Sequence, residues 1–244
     1  MPYKQGEFIS QIAKINPNVI VVLNSGSNVD MNGWLDNTNA LLLAWYPGSY
    51  GNQAAAEILF GQTNPSGKLP ASFEYKLEDN PCFNSYFDKD EDLKVFYSEG
   101  IFMGYRYWDK AASKPRFPFG FGLSYTNFTI SDIATDKKEY SKTDKVKVTI
   151  TVKNIGNMDG AEVVQLYVSD KKSSLPRPLK ELKAFEKVKL KKGEKKTLII
   201  ELNQDAFSYY NPAVHNWEIE SGEFEICLGN SSENITQRTT IVIK

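Results

Sequence analysis

The sequence has little of the residue types from which metal centres and disulfide frameworks are built. Of its 244 residues two are cysteine and one is histidine. Cys82 and Cys227 are too few for a disulfide framework or a cysteine metal centre, although one bridge between them stays open. The single imidazole, His215, excludes a multi-histidine metal cluster and leaves one candidate base for a serine or cysteine nucleophile. We therefore predict no metal site.

The chain also lacks an excess of charge of one sign. Its formal net charge is −1, and its only arginines are Arg106, Arg116, Arg177 and Arg238. Because bidentate phosphate contacts favour arginine on a basic surface, we predict no nucleic-acid partner. No apolar run approaches the roughly 18 residues of a membrane span, and the N-terminal stretch lacks the pattern of a signal peptide. We predict no membrane partner, and the localisation stays open.

The first half alternates helical patterns with short apolar runs. Residues 5–15 have the periodicity of an amphipathic helix, and "NQAAAEILFG" (52–61) predicts a second helix. "VIVVL" (19–23) and "ALLLAW" (40–45) are typical of parallel strands that are buried on both faces. This alternation predicts an α/β layer. Since a sheet usually has about five or six strands, we expect earlier strands to be missing and the face toward them to expose apolar side chains.

The second half changes to period-2 alternation. "KVKVTITVKN", "EVVQLYVSD", "TLIIEL" and "EFEICLG" each place apolar residues on one face and polar residues on the other, as antiparallel strands do. Turn sequences such as "NIGNMDG" and "KKGEK" separate them. Seven or eight short strands predict an immunoglobulin-like or fibronectin type III-like β-sandwich. We expect domains at 1–95 (α/β) and 127–244 (sandwich), joined by an aromatic, glycine-rich connecting segment, 96–126, that fixes their geometry.

An acidic run, Asp88, Asp90, Glu91 and Asp92, precedes the connecting segment. It suggests a cation-binding loop, but the loop glycine and closing glutamate of an EF-hand are missing. We interpret it as a solvated loop.

Seven stretches in order resemble the C-terminal part of glycoside hydrolase family 3, of the β-glucosidase and β-xylosidase type. They are "NPNVIVVLNSGSNVDM", "AWYPGSYGNQAAAEILFGQTNPSGKLPASF", "YSEGIFMGYRYWD", "FPFGFGLSYTNF", "GAEVVQLYVSD", "RPLKELKAFEKV" and "DAFSYYNPAVHNWEIESGEFEICLG". The resemblance implies a (β/α)₈-type barrel, then a flavodoxin-like α/β sandwich domain, then the β-sandwich. It also implies an aspartate nucleophile on the barrel and a glutamate acid/base shortly before this chain begins.

The resemblance implies retaining hydrolysis, in which two carboxylates lie about 5–5.5 Å apart. Neither matches a position of this sequence, so we carry over no catalytic residue. We expect a partial β-glycosidase that is inactive alone, needs no cofactor, partners the missing barrel and meets β-linked oligosaccharide only in the complete enzyme. A bacterial parent enzyme is expected to be periplasmic or secreted. The alternative is a non-catalytic carbohydrate-binding or interaction module.

Five residues are candidates for substrate binding: Trp45, Tyr97, Glu99, Tyr105 and Arg106. Trp45 follows a predicted strand, and loops at the carboxyl ends of strands face ligands in α/β sheets. Glu99 lies among aromatic residues that suit sugar faces. The structural alternatives are core packing for Trp45 and, for Glu99, an ion pair with Arg106 or a cap on backbone groups.

Other residues receive structural interpretations. Asp30 is expected to cap a helix or loop, Glu57 and Asp109 to lie on the surface, and His215 to lie in a turn. Arg177, in "SSLPRPLK", is expected either in a solvated loop or reaching out to the missing barrel.

Overall fold

The protein divides into two units, seen here in a computed structural model that describes residues 2–88 and 93–244. The first unit comprises residues 1–63 and 73–98, and the second comprises residues 64–72 and 99–244. The acidic run predicted as a solvated loop falls largely on residues 89–92, which lie outside the described residues.

The first unit has the predicted α/β alternation. In chain order its helices and strands are α1 (Gln5–Ile15), β1 (Ile20–Leu23), β2 (Ala40–Leu43) and α2 (Gly51–Leu59). Short 3₁₀ turns occupy Pro2–Lys4, Leu35–Asn37 and Leu77–Asp79. Strands β1 and β2 pair in parallel, with Ile20 opposite Ala40 and Leu23 opposite Leu43. The prediction of a partial α/β layer is confirmed.

The apolar faces of this unit are largely exposed. Helix α1 has no buried residue, and Phe8 is 63% exposed. In β1, Ile20 and Val22 are 54% and 41% exposed, so the prediction of a strand buried on both faces is wrong for these residues. The buried apolar side chains of the unit are Leu23, Met31, Trp34 and Phe73. This exposure is what we expected on the face toward missing strands.

The second unit is built mainly from strands. Its one α-helix in the described residues is α3 (Tyr105–Trp108), and a 3₁₀ turn spans Gln204–Ala206. The strands are β3 (Phe128–Thr135), β4 (Glu139–Tyr140), β5 (Val146–Asn154), β6 (Gly160–Asp170), β7 (Glu181–Leu190), β8 (Lys195–Leu202), β9 (Tyr209–Asn211), β10 (Asn216–Glu218), β11 (Gly222–Gly229) and β12 (Ile235–Ile243).

These strands form a fibronectin type III-like sandwich, as predicted. One sheet has the order β4-β12-β11-β6-β7, the other has the order β3-β5-β8, and β9 and β10 form a separate hairpin. The core lies between the two sheets and takes the apolar residues that period-2 alternation pointed inward, among them Val148, Ile150, Leu166, Phe224 and Ile226, each fully buried. Burying each such side chain stabilises the fold by about 1.5–3 kcal/mol.

The outer face of β6 is covered as well. Alternation assigned Gln165 and Tyr167 to the solvent side, yet both are buried. The backbone N–H groups of Leu69 and Gly120 donate to the carbonyls of Phe121 and Leu69, which joins segment 64–72 to the connecting segment. Gly120 has a φ of +82°, and a Cβ there would lie 2.6 Å from the Gln165 amide. The glycine is therefore required for the close approach of this segment to the sheet.

Candidate functional site

The five predicted substrate-binding residues are divided between the two units. Trp45 and Tyr97 belong to the first unit, and Glu99, Tyr105 and Arg106 belong to the second. We therefore describe two groups of residues, one in each unit.

Trp45 lies in the loop directly after β2. Its φ of +53° is left-handed, a conformation that costs a residue with a side chain about 1–3 kcal/mol and that clusters at functional sites. Its half-buried ring contacts Phe73 edge-on, with centroids 6.0 Å apart. The neighbouring Tyr46 is 82% exposed and covers Gly26, where a Cβ would lie 2.7 Å from the ring. The loops after β1 and β2 thus meet at the carboxyl ends of the strands, where α/β sheets bind ligands.

Asn28 is a polar residue of this group that the sequence did not single out. Its Nδ2 donates to the Glu74 carbonyl at 3.2 Å, while its Oδ1 is buried with no hydrogen-bond partner among the described residues. A buried acceptor without a donor is costly, so this oxygen is suited to accept from a hydroxyl. An asparagine in the loop that follows a predicted strand was the signal available in the sequence.

Asp30 is a turn residue, as interpreted. Its Oδ1 accepts from the Asn32 backbone N–H at 2.9 Å, and its carbonyl accepts from Trp34 Nε1 at 3.0 Å. Glu57 accepts from Gln53 and Thr63 in the same unit. Both carboxylates are thus occupied by local structure.

Tyr97 and Glu99 stand in different environments. The Tyr97 side chain is 80% exposed in the first unit. Glu99, in the second, has its Oε2 buried without a hydrogen-bond partner among the described residues. The Glu99–Arg106 pair that we considered does not form, because Arg106 instead pairs with Glu181 at 3.0 Å.

Tyr105 fastens α3 to the sandwich. Its hydroxyl accepts from the Leu182 backbone N–H at 2.8 Å. Its ring stacks on Phe119 and meets Tyr167 edge-on, at centroid distances of 5.0 and 5.8 Å. Burial raises the pKa of the Tyr105 phenol. Tyr105 and Arg106 are brought together, with the guanidinium 5.9 Å from the Tyr105 ring, and both contribute to packing.

Two interpretations of charged residues were wrong. Asp109 is not a surface residue, because its side chain is 5% exposed and pairs with Lys180. Burial raises the pKa of its carboxyl, although the hydrogen bond from Lys180 opposes the rise. Arg177 does not reach outward. Its side chain is 9% exposed, bonds Asp170 at 2.9 Å and lies 5.3 Å from the Tyr209 ring.

A buried ion pair that the sequence did not indicate fixes segment 64–72. Lys68 Nζ lies 2.8 Å from Glu162 Oε1 and donates to the Gly122 carbonyl at 2.9 Å. The second Glu162 oxygen accepts from Asn230 Nδ2 at 3.1 Å. The two ionised side chains are 12% and 8% exposed. Removal of one charge would leave the other buried and unpaired, which is strongly destabilising.

The remaining candidates lie apart from these groups. His215 is exposed in the turn between β9 and β10, with a φ of +52°. Both cysteines are free thiols. Within residues 2–88 and 93–244, no group of three histidine, cysteine or acidic residues could hold a metal ion. No helix in those ranges is long and apolar enough to cross a membrane.

Residues 1–125 match the glycosyl hydrolase family 3 C-terminal domain, which is half of the chain, and residues 162–232 match the fibronectin type III-like domain. The chain belongs to glycosyl hydrolase family 3. The resemblance carried by the seven sequence stretches is thereby confirmed. The match also agrees with the α/β layer and the sandwich described above.

Comparison with relatives in this family shows what share of their length the chain matches. It is 46% identical over 241 residues to Thermostable beta-glucosidase B of Acetivibrio thermocellus, covering 99% of this chain and 32% of that protein. It is 40% identical over 244 residues to an exo-alpha-(1->6)-L-arabinopyranosidase of Bifidobacterium breve. That match covers 100% of this chain and 32% of the relative. The crystal structure of a Bifidobacterium adolescentis GH3 beta-glucosidase superposes on this protein with a TM-score of 0.93 at 37% sequence identity. The superposition covers 99% of this chain and 35% of that one. The chain therefore spans about a third of each of these relatives.

Proposed function

We propose that this chain is the C-terminal part of a retaining β-glycosidase of the β-glucosidase type and serves as scaffold for its active-site cleft. The supporting observation is its similarity, over nearly its full length, to about a third of family 3 beta-glucosidases. The substrates are terminal β-linked sugars of oligosaccharides or glycosides. Both steps of such a reaction use carboxylates and water, so no cofactor is required.

The partner in this proposal is an N-terminal barrel, in the same polypeptide or as a separate chain. The exposed apolar side chains of the first unit support it, because Phe8, Ile20, Phe60 and Phe96 are all more than half exposed. Exposed apolar faces of this kind mark interaction surfaces. We further propose the domain division 1–95, 96–126 and 127–244 for the folded parent enzyme.

Trp45, Tyr97, Glu99, Tyr105 and Arg106 remain proposed contributors to substrate binding. The support is strongest for Trp45, whose left-handed backbone lies at the carboxyl ends of the strands. It is weakest for Tyr105 and Arg106, which are engaged in packing and an ion pair. Asn28 Oδ1 joins Trp45 as a proposed acceptor for a sugar hydroxyl.

A domain replacement tests this function. The matching third of the Acetivibrio thermocellus relative is replaced by this chain, and hydrolysis of aryl β-glucoside, β-xyloside and α-L-arabinopyranoside is measured. We expect the hybrid to hydrolyse at least one of them and this chain alone to stay at the buffer rate. Hydrolysis by the chain alone would contradict inactivity. A folded hybrid that cleaves none would contradict the scaffold role.

The alternative is a carbohydrate-binding module without catalysis. The exposed rings of Phe96 and Tyr97, 71% and 80% exposed, are the observation in its favour. Calorimetry of this chain with cellobiose and a xylo-oligosaccharide distinguishes the two functions. Saturable heat that is lost in Tyr97→Ala would support the module, and the absence of heat would leave the scaffold role.

A further inference from the structure

One end of the sandwich carries seven lysines that have no acidic partner among the described residues. We call this the lysine surface, and it consists of Lys153, Lys187, Lys189, Lys191, Lys192, Lys195 and Lys196. All seven are exposed, and among the described residues none lies within 4.0 Å of a carboxylate. Most other lysines of the second unit do have such partners, namely Lys68, Lys114, Lys137, Lys145, Lys171, Lys180, Lys183 and Lys244. The lysine surface therefore contains most of the second unit's lysines that lack an ion pair within the part of the chain that the structure describes.

The strand arrangement brings two pairs of these lysines together, one pair on the outer face of each sheet, and the turn of residues 191–194 joins β7 of one sheet to β8 of the other. Lys153 at the end of β5 lies directly opposite Lys195 at the start of β8. Directly opposed residues have Cβ atoms about 4.5–5.5 Å apart, and like charges there are destabilising. Lys187 and Lys189 alternate with the buried Val188 along β7, which places them about 7 Å apart on one face. Both separations are below the Debye length of about 8 Å at physiological ionic strength, so the two charges within each pair repel each other.

The acidic residues nearby do not balance this charge. They are Glu186 and Glu194, within the same stretch of sequence, and Asp159, which contacts the turn, three against seven lysines. Asp159 accepts from the Lys192 backbone N–H at 2.7 Å, and Glu194 accepts from that of Lys191 at 2.7 Å. These two carboxylates stabilise the turn rather than the lysine ammonium groups. An anionic ligand would relieve the repulsion among the lysines.

We propose that the lysine surface binds a carboxylated polysaccharide. The choice of a glycan among polyanions rests on the proposed function. The turn itself, "KKGEKK" (191–196), has no apolar side chain to insert into a bilayer, which disfavours a lipid surface. Single-stranded nucleic acids are bound by several aromatic side chains that stack on successive bases. Here only Phe185, which is 68% exposed on the same face of β7 as Lys187, is an aromatic neighbour in the strand, which disfavours a nucleic acid. The set contains no arginine, so it offers compact ammonium charges on flexible side chains rather than a rigid fork for one carboxylate or phosphate, and such charges can follow an extended polyanion.

The test is affinity electrophoresis of the 244-residue chain in gels containing polygalacturonate or a neutral β-glucan. The variant K189Q/K191Q/K192Q/K195Q removes four charges from the lysine surface. The control K138Q/K142Q/K147Q/K172Q removes four exposed charges elsewhere in the second unit, none of which has an ion pair among the described residues. We expect the first variant to bind polygalacturonate about tenfold or more weakly, and the control to stay within about threefold of the parent. We also expect binding by the parent to weaken as ionic strength rises.

Several outcomes would overturn the proposal. They are equal losses in both variants, no retardation by polygalacturonate, or tighter binding to phosphatidylglycerol vesicles or to single-stranded DNA than to polygalacturonate. Circular dichroism of both variants checks that they fold. The binding assay does not depend on hydrolysis. A negative binding result would therefore not affect the domain-replacement result, and an inactive hybrid would not affect the binding result.

Discussion

The two units differ in how much of their apolar surface they bury. The first buries Leu23, Met31, Trp34 and Phe73, while helix α1 buries nothing. The second encloses a continuous core between two sheets. Each unit carries the secondary structure predicted for it, so local sequence preference is satisfied in both. The difference shows that forming the predicted helices and strands does not by itself make a unit stable. The stability of each unit comes mainly from the packing of its apolar faces.

The thiols provide the sharpest contrast, since each unit contains one. Cys227, on β11, is 2% exposed, and burial raises its pKa to about 11. Cys82, in the first unit, is half-buried. We expect iodoacetamide at neutral pH to label Cys82 about a thousandfold faster, because reaction of Cys227 requires opening of the sandwich and formation of its thiolate. Mass spectrometry of tryptic peptides measures both rates. Similar rates for the two thiols would contradict the contrast.

The same substitution in each unit is expected to have unequal effects. Phe224→Ala removes a fully buried ring that meets Phe207 edge-on and should lower the free energy of unfolding of the sandwich by about 3–5 kcal/mol. Phe8→Ala, in α1, removes a ring that is 63% exposed and should change stability by less than about 0.5 kcal/mol. Denaturant unfolding followed by near-ultraviolet circular dichroism compares them. A large loss in Phe8→Ala would mean that α1 is packed in solution.

Two ion pairs of the second unit differ in burial and are therefore expected to differ in how much they stabilise the fold. Lys68→Met leaves Glu162 buried without its cation and should cost about 3 kcal/mol. Lys145→Met removes the partner of Glu201, where the two side chains are 65% and 45% exposed, and should cost about 0–1 kcal/mol. The difference is measured by urea unfolding of both variants at one pH. Equal costs would show that the Lys68 pair is solvated.

The smallest effect concerns two carboxylates whose pKa values move in opposite directions. Burial raises the folded-state pKa of Asp109. Its contribution to stability is therefore fully present below its unfolded pKa and is lost as the pH rises through the folded value. The pKa of Asp144 is lowered by hydrogen bonds from Ser141. Its contribution is present above its unfolded pKa and is lost as the pH falls.

Asp109→Asn and Asp144→Asn test these opposite signs. From mildly acidic to neutral pH, the stability of the parent relative to Asp109→Asn should fall as the pH rises. Relative to Asp144→Asn, it should fall only as the pH decreases below the ordinary aspartate pKa of about 4. Urea unfolding from acidic to neutral pH measures both differences. The same slope in both variants would show that burial does not control Asp109.

The sequence by itself determined the secondary structure, the fold class and the family. Period-2 alternation assigned the inward faces of β5 and β11, because a strand in a two-layer sandwich repeats its environment every second residue. The apolar runs of β1 and β2 predicted parallel strands, and they pair in that way. These signals are local and are carried by neighbouring residues.

Only the tertiary structure decided which polar and aromatic residues are buried. Periodicity placed Tyr167 outward, but a segment distant in the sequence covers that face. The same holds for Asp109, which pairs with Lys180, and for Lys68, which pairs with Glu162. The partners in these two pairs are separated by dozens of residues. The burial and pKa of such a side chain depend on groups that folding brings together, so no local pattern could assign them.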